Sequence, residues 1–244
     1  MSLLTGLHWW WDLAASAATI TDQHNGLSLT RAGTVTTDAS GGPGGKGSCD
    51  FNAGWFLNAS VARPFNYKLG SSFNCWFHSA STAGNQWIIN HRSNSVGGVY
   101  WQSFVSSSNA SANIFDSAIN AATVGPIAVP SLNTWHMLTI TDNGTIATGY
   151  MNGVSFGTAS TAALGPFGTA NAPFAIGVAA WNTGFGRYIG KLAMAGVWSV
   201  PLTAANITSL YNGGAGVNYA GLASASVSSA RRRRTAQQSI QGVF

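Results

Sequence analysis

The chain has 244 residues with eleven Lys or Arg, six Asp and no Glu, so charged residues make up 7% of it against roughly 25% in an average soluble domain. The missing Glu excludes every mechanism that needs one, two-Glu glycoside hydrolysis included, and disfavours long helices, which draw on Glu and Lys for their exposed faces. The net charge of +5 is local: Arg231, Arg232, Arg233 and Arg234 carry four of the positive charges, and the remainder, at +1, is too neutral for a general nucleic-acid surface.

Short apolar or alternating runs recur along the chain between Gly, Asn and Ser. They predict strands over 7–13, 27–30, 48–51, 73–79, 86–91, 99–105, 112–115, 135–142, 145–151, 154–158, 174–178 and 191–199. In the N-terminal part, Ala15-Ser16-Ala17 mimics a signal-peptide cleavage site. No basic segment precedes it, however, and Asp12 interrupts the apolar stretch, so a chain made in the cytoplasm without a signal peptide is expected. No run is apolar enough to span a membrane. A Gly-rich loop is expected from Ala39 to Gly47. Cys49 and Cys75 are the only cysteines; one disulfide and two thiols are both open, with two buried thiols the expected state.

The middle of the chain carries the firmest local signal. Asn152-Gly153 supplies the two positive-φ residues of a type I′ turn, and Asp142-Asn143-Gly144 marks a reversal before it, so Trp135 to Thr158 should form a three-stranded meander. A short helix is expected after Pro201. Thr203 serves as its N-cap, Leu202 and Ile207 form a hydrophobic staple, and Gly213 and Gly214 end it. Composition shifts near Gly221. Residues 1–221 read as one domain, and residues 222–244 as a Ser/Ala linker and an Arg-rich tail.

Several of these segments resemble the LamG-like (laminin G/pentraxin, concanavalin A-like) jelly-roll family. The similarity lies in Trp9-Trp10-Trp11-Asp12-Leu13 with Asp22-Gln23-His24-Asn25-Gly26-Leu27, in Phe73-Asn74-Cys75-Trp76-Phe77, in Trp135-His136-Met137-Leu138, in Tyr150-Met151-Asn152-Gly153, in Phe174-Ala175-Ile176-Gly177, and in Tyr188 to Trp198 followed by Leu202 to Asn212. The resemblance implies an all-β fold: a two-sheet antiparallel jelly-roll sandwich with one short C-terminal helix and, here, an extended basic tail. It also implies glycan or protein binding, sometimes with Ca²⁺. Where the family's closing strand commonly has an Asp, this chain has Ala193, which argues against an acidic or metal role for that strand.

The residues themselves narrow the chemistry. Related jelly-roll glucanases place two or three carboxylates on one strand, whereas no two Asp here share a strand, and no Gly-x-Ser-x-Gly elbow or metal-spaced His or Cys is present. No catalytic residue and no cofactor are therefore expected. Asp22 with Asn25 is the one place for a Ca²⁺ ion, but a loop-shaping turn is favoured there. His136 is expected to be a satisfied structural imidazole, and Trp76, Trp135 and Trp198 to lie in the core. Aromatic residues near loops give the ligand-binding candidates: Trp181 with Asn182 and Arg187 in a Gly-rich loop, and a second rim of Tyr100, Trp101 and Arg92. The expected function is a non-enzymatic lectin-like module displayed on a larger assembly. The alternative is a structural virion protein, such as a bacteriophage capsid decoration or fibre component, with a glycan hydrolase a distant third. Arg231–Arg234 with Ile240, Val243 and Phe244 would then form an anchoring arm.

Overall fold

A computed structural model of the chain describes residues 2–15, 17–93, 99–129 and 131–224. Among them are fourteen strands: β1 (Leu7–Trp11), β2 (Thr19–Thr21), β3 (Ser28–Asp38), β4 (Ser48–Val61), β5 (Ser71–Ser79), β6 (Asn85–Arg92), β7 (Val99–Ser106), β8 (Asn109–Phe115), β9 (Ala121–Ala128), β10 (His136–Asp142), β11 (Ile146–Met151), β12 (Val154–Ser160), β13 (Ala172–Ile176) and β14 (Gly190–Trp198). One α-helix follows, α1 (Ala204–Tyr211). All pairings are antiparallel, in the order β12-β11-β10-β5-β14-β4-β13-β6-β7-β8-β9, with β1 on β14 and the β2–β3 pair on β4.

Two-residue alternation sorts the side chains into layers. In β5, Phe73, Cys75 and Phe77 enter a central core with Leu138 and Ile140 of β10, while Trp76 and Met137 enter a second cluster on the opposite face. Trp9 and Trp11 of β1 likewise join the central core, and Trp10 the second cluster. The ladder folds over where β14 passes to β4. Phe73 of β5 then stacks on Trp101 of β7 with ring centroids 4.2 Å apart and planes 11° apart, so the two halves of the ladder lie face to face. This is the expected all-β jelly-roll sandwich.

The second cluster is roofed by α1. Thr203 caps it, accepting the Asn206 N–H at 3.2 Å, while the Asn206 carboxamide reaches back to the Thr203 N–H at 3.3 Å. Leu202, Ile207 and Leu210 are buried against Trp10, Trp76 and Trp198. The helix ends at Asn212, left-handed at φ 49°, one residue before the glycine expected to end it. Leu3 and Leu222 also belong to this cluster, so packing continues through Leu222. The meander is as expected, with Asn152 at φ 54° and Gly153 at φ 82° between β11 and β12.

The structure departs from the sequence reading in several places. β2 and β9 were not expected; β9 contains Gly125-Pro126 and lies at the sheet edge, where a missing N–H is tolerated. β3 and β4 are much longer than their sequence signals. Trp135 is half-buried, its indole N–H donating to the Gly41 carbonyl at 2.8 Å. Both cysteines are free and buried, as expected. The arm residues Arg231, Arg232, Arg233, Arg234, Ile240, Val243 and Phe244 lie outside the described residues. Among the described residues no helix is long and apolar enough to cross a membrane.

Candidate ligand-binding face

The outer face of the β4-β13-β6-β7-β8 sheet carries a cross-strand row of Leu57, Ala175, Asn90, Gln102 and Asn113, one from each strand. The connection from β13 to β14 folds back over this face. Asn90 pins it: its Nδ2 donates to the Val178 carbonyl at 2.8 Å and its Oδ1 accepts the Ala180 N–H at 2.8 Å. Further along, the Trp87 N–H donates to the Gly186 carbonyl at 3.0 Å, and the Ile189 N–H to Gln86 Oε1 at 2.9 Å. Gly186 has φ 66°, and a Cβ there would sit 2.0 Å from the Trp87 ring, so only glycine lets the loop lie this close.

The loop therefore presents its side chains in fixed positions. Trp181 meets Trp87 edge-on, with centroids 5.0 Å apart, and Phe185 tilts against the same ring at 5.3 Å. Phe185 is 48% exposed and Trp181 partly so. The Arg92 guanidinium lies 4.1 Å from the Trp181 centroid and 4.4 Å from that of Phe115. One of its terminal nitrogens donates to Gln102 Oε1 at 2.8 Å, and Trp87 donates to the same oxygen at 2.9 Å. Arg92 Nε and Asn113 Oδ1 are buried with no protein partner. Burial draws the Arg92 guanidinium below its ordinary value, but an arginine stays cationic. Arg187, exposed, lies over Trp55 at 4.5 Å.

The structure thus brings Trp181, Arg187 and Arg92 to one face, with Asn182 exposed on the loop. The Asn182 carboxamide oxygen is engaged by the Gly184 N–H at 3.1 Å, so that atom shapes the loop. Tyr100 and Trp101 do not form a rim. β7 begins before them, and Trp101 is set opposite His91 in the β6–β7 pairing, facing the core; both rings are fully buried, and the Tyr100 hydroxyl bonds the Ala170 carbonyl. Trp87, Trp55, Gln102 and Phe115 were not expected at the site, while Phe185 lies within the expected loop. Trp87 sits in an apolar strand segment, and only the return of a distant loop shows which face matters.

The other candidate groups have structural roles. Asp22 accepts the N–H groups of Trp10, His24, Asn25 and Leu27, which fixes the loop between β2 and β3. The Asn25 carboxamide donates to the His8 carbonyl at 2.8 Å. These contacts are those of the loop-shaping turn, and no cluster of three metal-binding side chains occurs among the described residues. His136 is satisfied by the Ser131 carbonyl at 3.0 Å and Asn152 at 3.1 Å. Asp38 pairs with Lys191 at 3.1 Å, Asp116 accepts Ala118, Asn120 and Gly165, and Asp142 accepts Thr161 and Gly144. Asp12 accepts the Trp10 indole, Gln23 and the Tyr219 N–H, and Asp50 accepts the Asn52 N–H.

A family model described as the concanavalin A-like lectin/glucanases superfamily matches residues 58–208, and the chain belongs to that superfamily. No curated protein sequence matches it. Similar solved structures include the receptor-binding domain of botulinum neurotoxin D (TM-score 0.64, 14% identity, 87% of this chain and 54% of that one). The binding domain of Paraclostridial Mosquitocidal Protein 1 is similar at TM-score 0.63 and 16% identity, over 85% of this chain and 52% of that one. Domain 4 of a GH43 extracellular arabinanase from Geobacillus stearothermophilus, solved with arabinotriose, gives TM-score 0.62 and 15% identity over 83% of this chain and 96% of that one. The chain spans about half the length of the toxin binding domains it matches. At such identities the likeness concerns the fold.

Proposed function

We propose that the protein is a non-enzymatic lectin-like module that binds glycans on the face formed by Trp181, Phe185, Arg92 and Arg187. The carrying observation is an aromatic pair, Phe185 exposed and Trp181 partly so, packed on a buried tryptophan beside two arginines. Aromatic faces stack on sugar C–H surfaces, and guanidinium N–H groups donate to sugar oxygens. A preformed loop avoids the ordering cost that a mobile one would add on binding. Similar folds solved with a saccharide support the reading: the arabinanase domain with arabinotriose and a botulinum neurotoxin D binding domain with N-acetylneuraminic acid. Against hydrolysis, each Asp is engaged in a loop or ion pair, and none is bonded to a residue of this face.

The alternative, a virion protein anchored by its arm, draws on residues outside the described ones, and none of the similar structures named above is a virion protein. A glycan array tests the main reading. The protein should retain a defined set of glycans, lose them on Trp181→Ala with Phe185→Ala, and release no reducing ends from them. Absence of retained glycans, or turnover abolished by replacing one Asp, would overturn it.

A further inference from the structure

We propose that this face selects acidic glycans, with sugar carboxylates facing Arg187 and Arg92. The inference rests on the glycan reading above and names the ligand class. Four described cations elsewhere are tied to acceptors of their own. Lys46 donates to the Ala215 carbonyl, Lys68 to those of Thr161 and Leu164, Arg63 to that of Phe167, and Lys191 pairs with Asp38. Arg92 and Arg187 differ. Arg92 has one neutral acceptor, Gln102, and a buried Nε without a partner. Arg187 rests on Trp55 with no hydrogen-bond acceptor among the described residues.

Among the described residues no carboxylate is bonded to either guanidinium, so within them the two charges on this face are uncompensated. Burying an unpaired cation is unfavourable, and burial is the one influence that shifts Arg92. An anion supplied by the ligand offsets that cost. The Arg92 guanidinium lies over Phe115 and Trp181 and that of Arg187 over Trp55, and a guanidinium fork matches the flat, two-oxygen geometry of a carboxylate. The two arginines sit on either side of the loop root, Arg187 over β4 and Arg92 toward β8. Trp181 and Phe185 lie on the loop between them, an arrangement suited to a chain of acidic sugars rather than a single residue. With the four tail arginines set aside, the chain's balance of +1 leaves no strong general field to mimic this effect.

The test uses the full chain and matched polymers: polygalacturonate and polysialic acid, each beside its carboxyl-reduced neutral counterpart, with chondroitin sulfate as the sulfate arm. Affinity is measured by titration calorimetry at low and high salt. At least one acidic polymer should bind about tenfold or more tightly than its neutral counterpart, with the difference shrinking at high salt. Arg187→Gln should remove most of that preference while leaving residual binding, and Arg187→Lys should restore it only in part. A sulfate arm that binds as well as the carboxylates would overturn the carboxylate assignment. Equal binding of acidic and neutral partners, or binding of none of these polymers by a protein that retains neutral glycans on the array, would overturn charge selection and leave the glycan reading standing. A protein that retains no glycan at all fails both.

Discussion

The guanidinium of Arg92 lies 4.1 Å from the ring centre of Trp181, and the same ring rests edge-on against Trp87. One residue from β6 and one from the loop after β13 thereby lock each other in place at the sheet surface. The contact explains how a tryptophan on a loop stays ordered without being buried.

The partial exposure of Trp181 and the full burial of Trp101 predict different phenotypes. Trp181→Ala should lose ligand affinity by about tenfold or more, with a stability loss of about 1 kcal/mol, the scale of one cation–π contact. Trp101→Ala empties a space stacked on Phe73 in the central core and should cost about 3–5 kcal/mol, on the order of 10 °C in Tm. Thermal melts beside binding titrations separate the two. A large drop in Tm for Trp181→Ala would place it with the core instead.

His91 should make the fold acid-sensitive. Its Nε2–H donates to the Val61 carbonyl and its Nδ1 accepts the Tyr67 hydroxyl at 3.0 Å, so the imidazole is held neutral. Burial pushes its pKa down to about 3, from an ordinary value of 6.5. The unfolded chain binds a proton as pH falls through 6.5, and the folded chain does not until about 3. Stability present above pH 6.5 is therefore lost progressively between those values, by up to about 1.4 kcal/mol per pH unit. Burial lowers His8 and His136 as well, adding loss of the same sign. Denaturant melts across this range should show the slope, and His91→Gln should flatten it; an unchanged slope in that variant would assign the sensitivity elsewhere.

The two thiols should be inert in the folded protein. Burial pushes Cys49 up to about 12 and Cys75 higher still, and the Cys49 thiol donates to the Ala15 carbonyl at 3.2 Å. A thiol-reactive dye should label neither until denaturant is added, and then both. Rapid labelling of the native protein would show an opening of the core near one of them.

Asp22 is predicted to be structural and independent of calcium. Four backbone N–H groups converge on its carboxylate, and Asp22→Ala leaves them without that acceptor. A cost of about 1–3 kcal/mol is expected. Chelator or added Ca²⁺ should leave the Tm of the unaltered protein unchanged. A rise in Tm with Ca²⁺ that is absent from Asp22→Ala would establish a metal site.

Much of the fold was legible because its signals are local. Asn152-Gly153 fixes a turn by backbone conformation alone, Thr203 caps a helix from just before its first turn, and alternation through Phe73 to Phe77 states which face is core. β9 was missed because Gly125-Pro126 reads as a break, although an edge strand accommodates it. The site divided along the same line. Trp181 stood out through its Gly-rich surroundings, which report a loop. Tyr100 and Trp101 were misplaced because their orientation depends on pairing with β6 across a connection whose length says nothing about register. Trp87 and Trp55 could not be singled out, since their place depends on contacts between distant segments.

The shared packing of Leu3 and Leu222 has a topological consequence. The Trp198 indole donates to the Leu3 carbonyl at 2.8 Å, and the Tyr219 N–H donates to Asp12 at 2.8 Å, so both ends of the described chain meet behind the helix-covered sheet. The face proposed to bind glycans belongs to the outer side of the other sheet. A scaffold joined directly beside Leu3 or Leu222 would hold the domain from the rear and leave that face pointing outward. Because Leu3 and Leu222 share one cluster, a circular permutant that links them and opens the chain at Asn143-Gly144 keeps every described strand whole and leaves the proposed binding surface untouched.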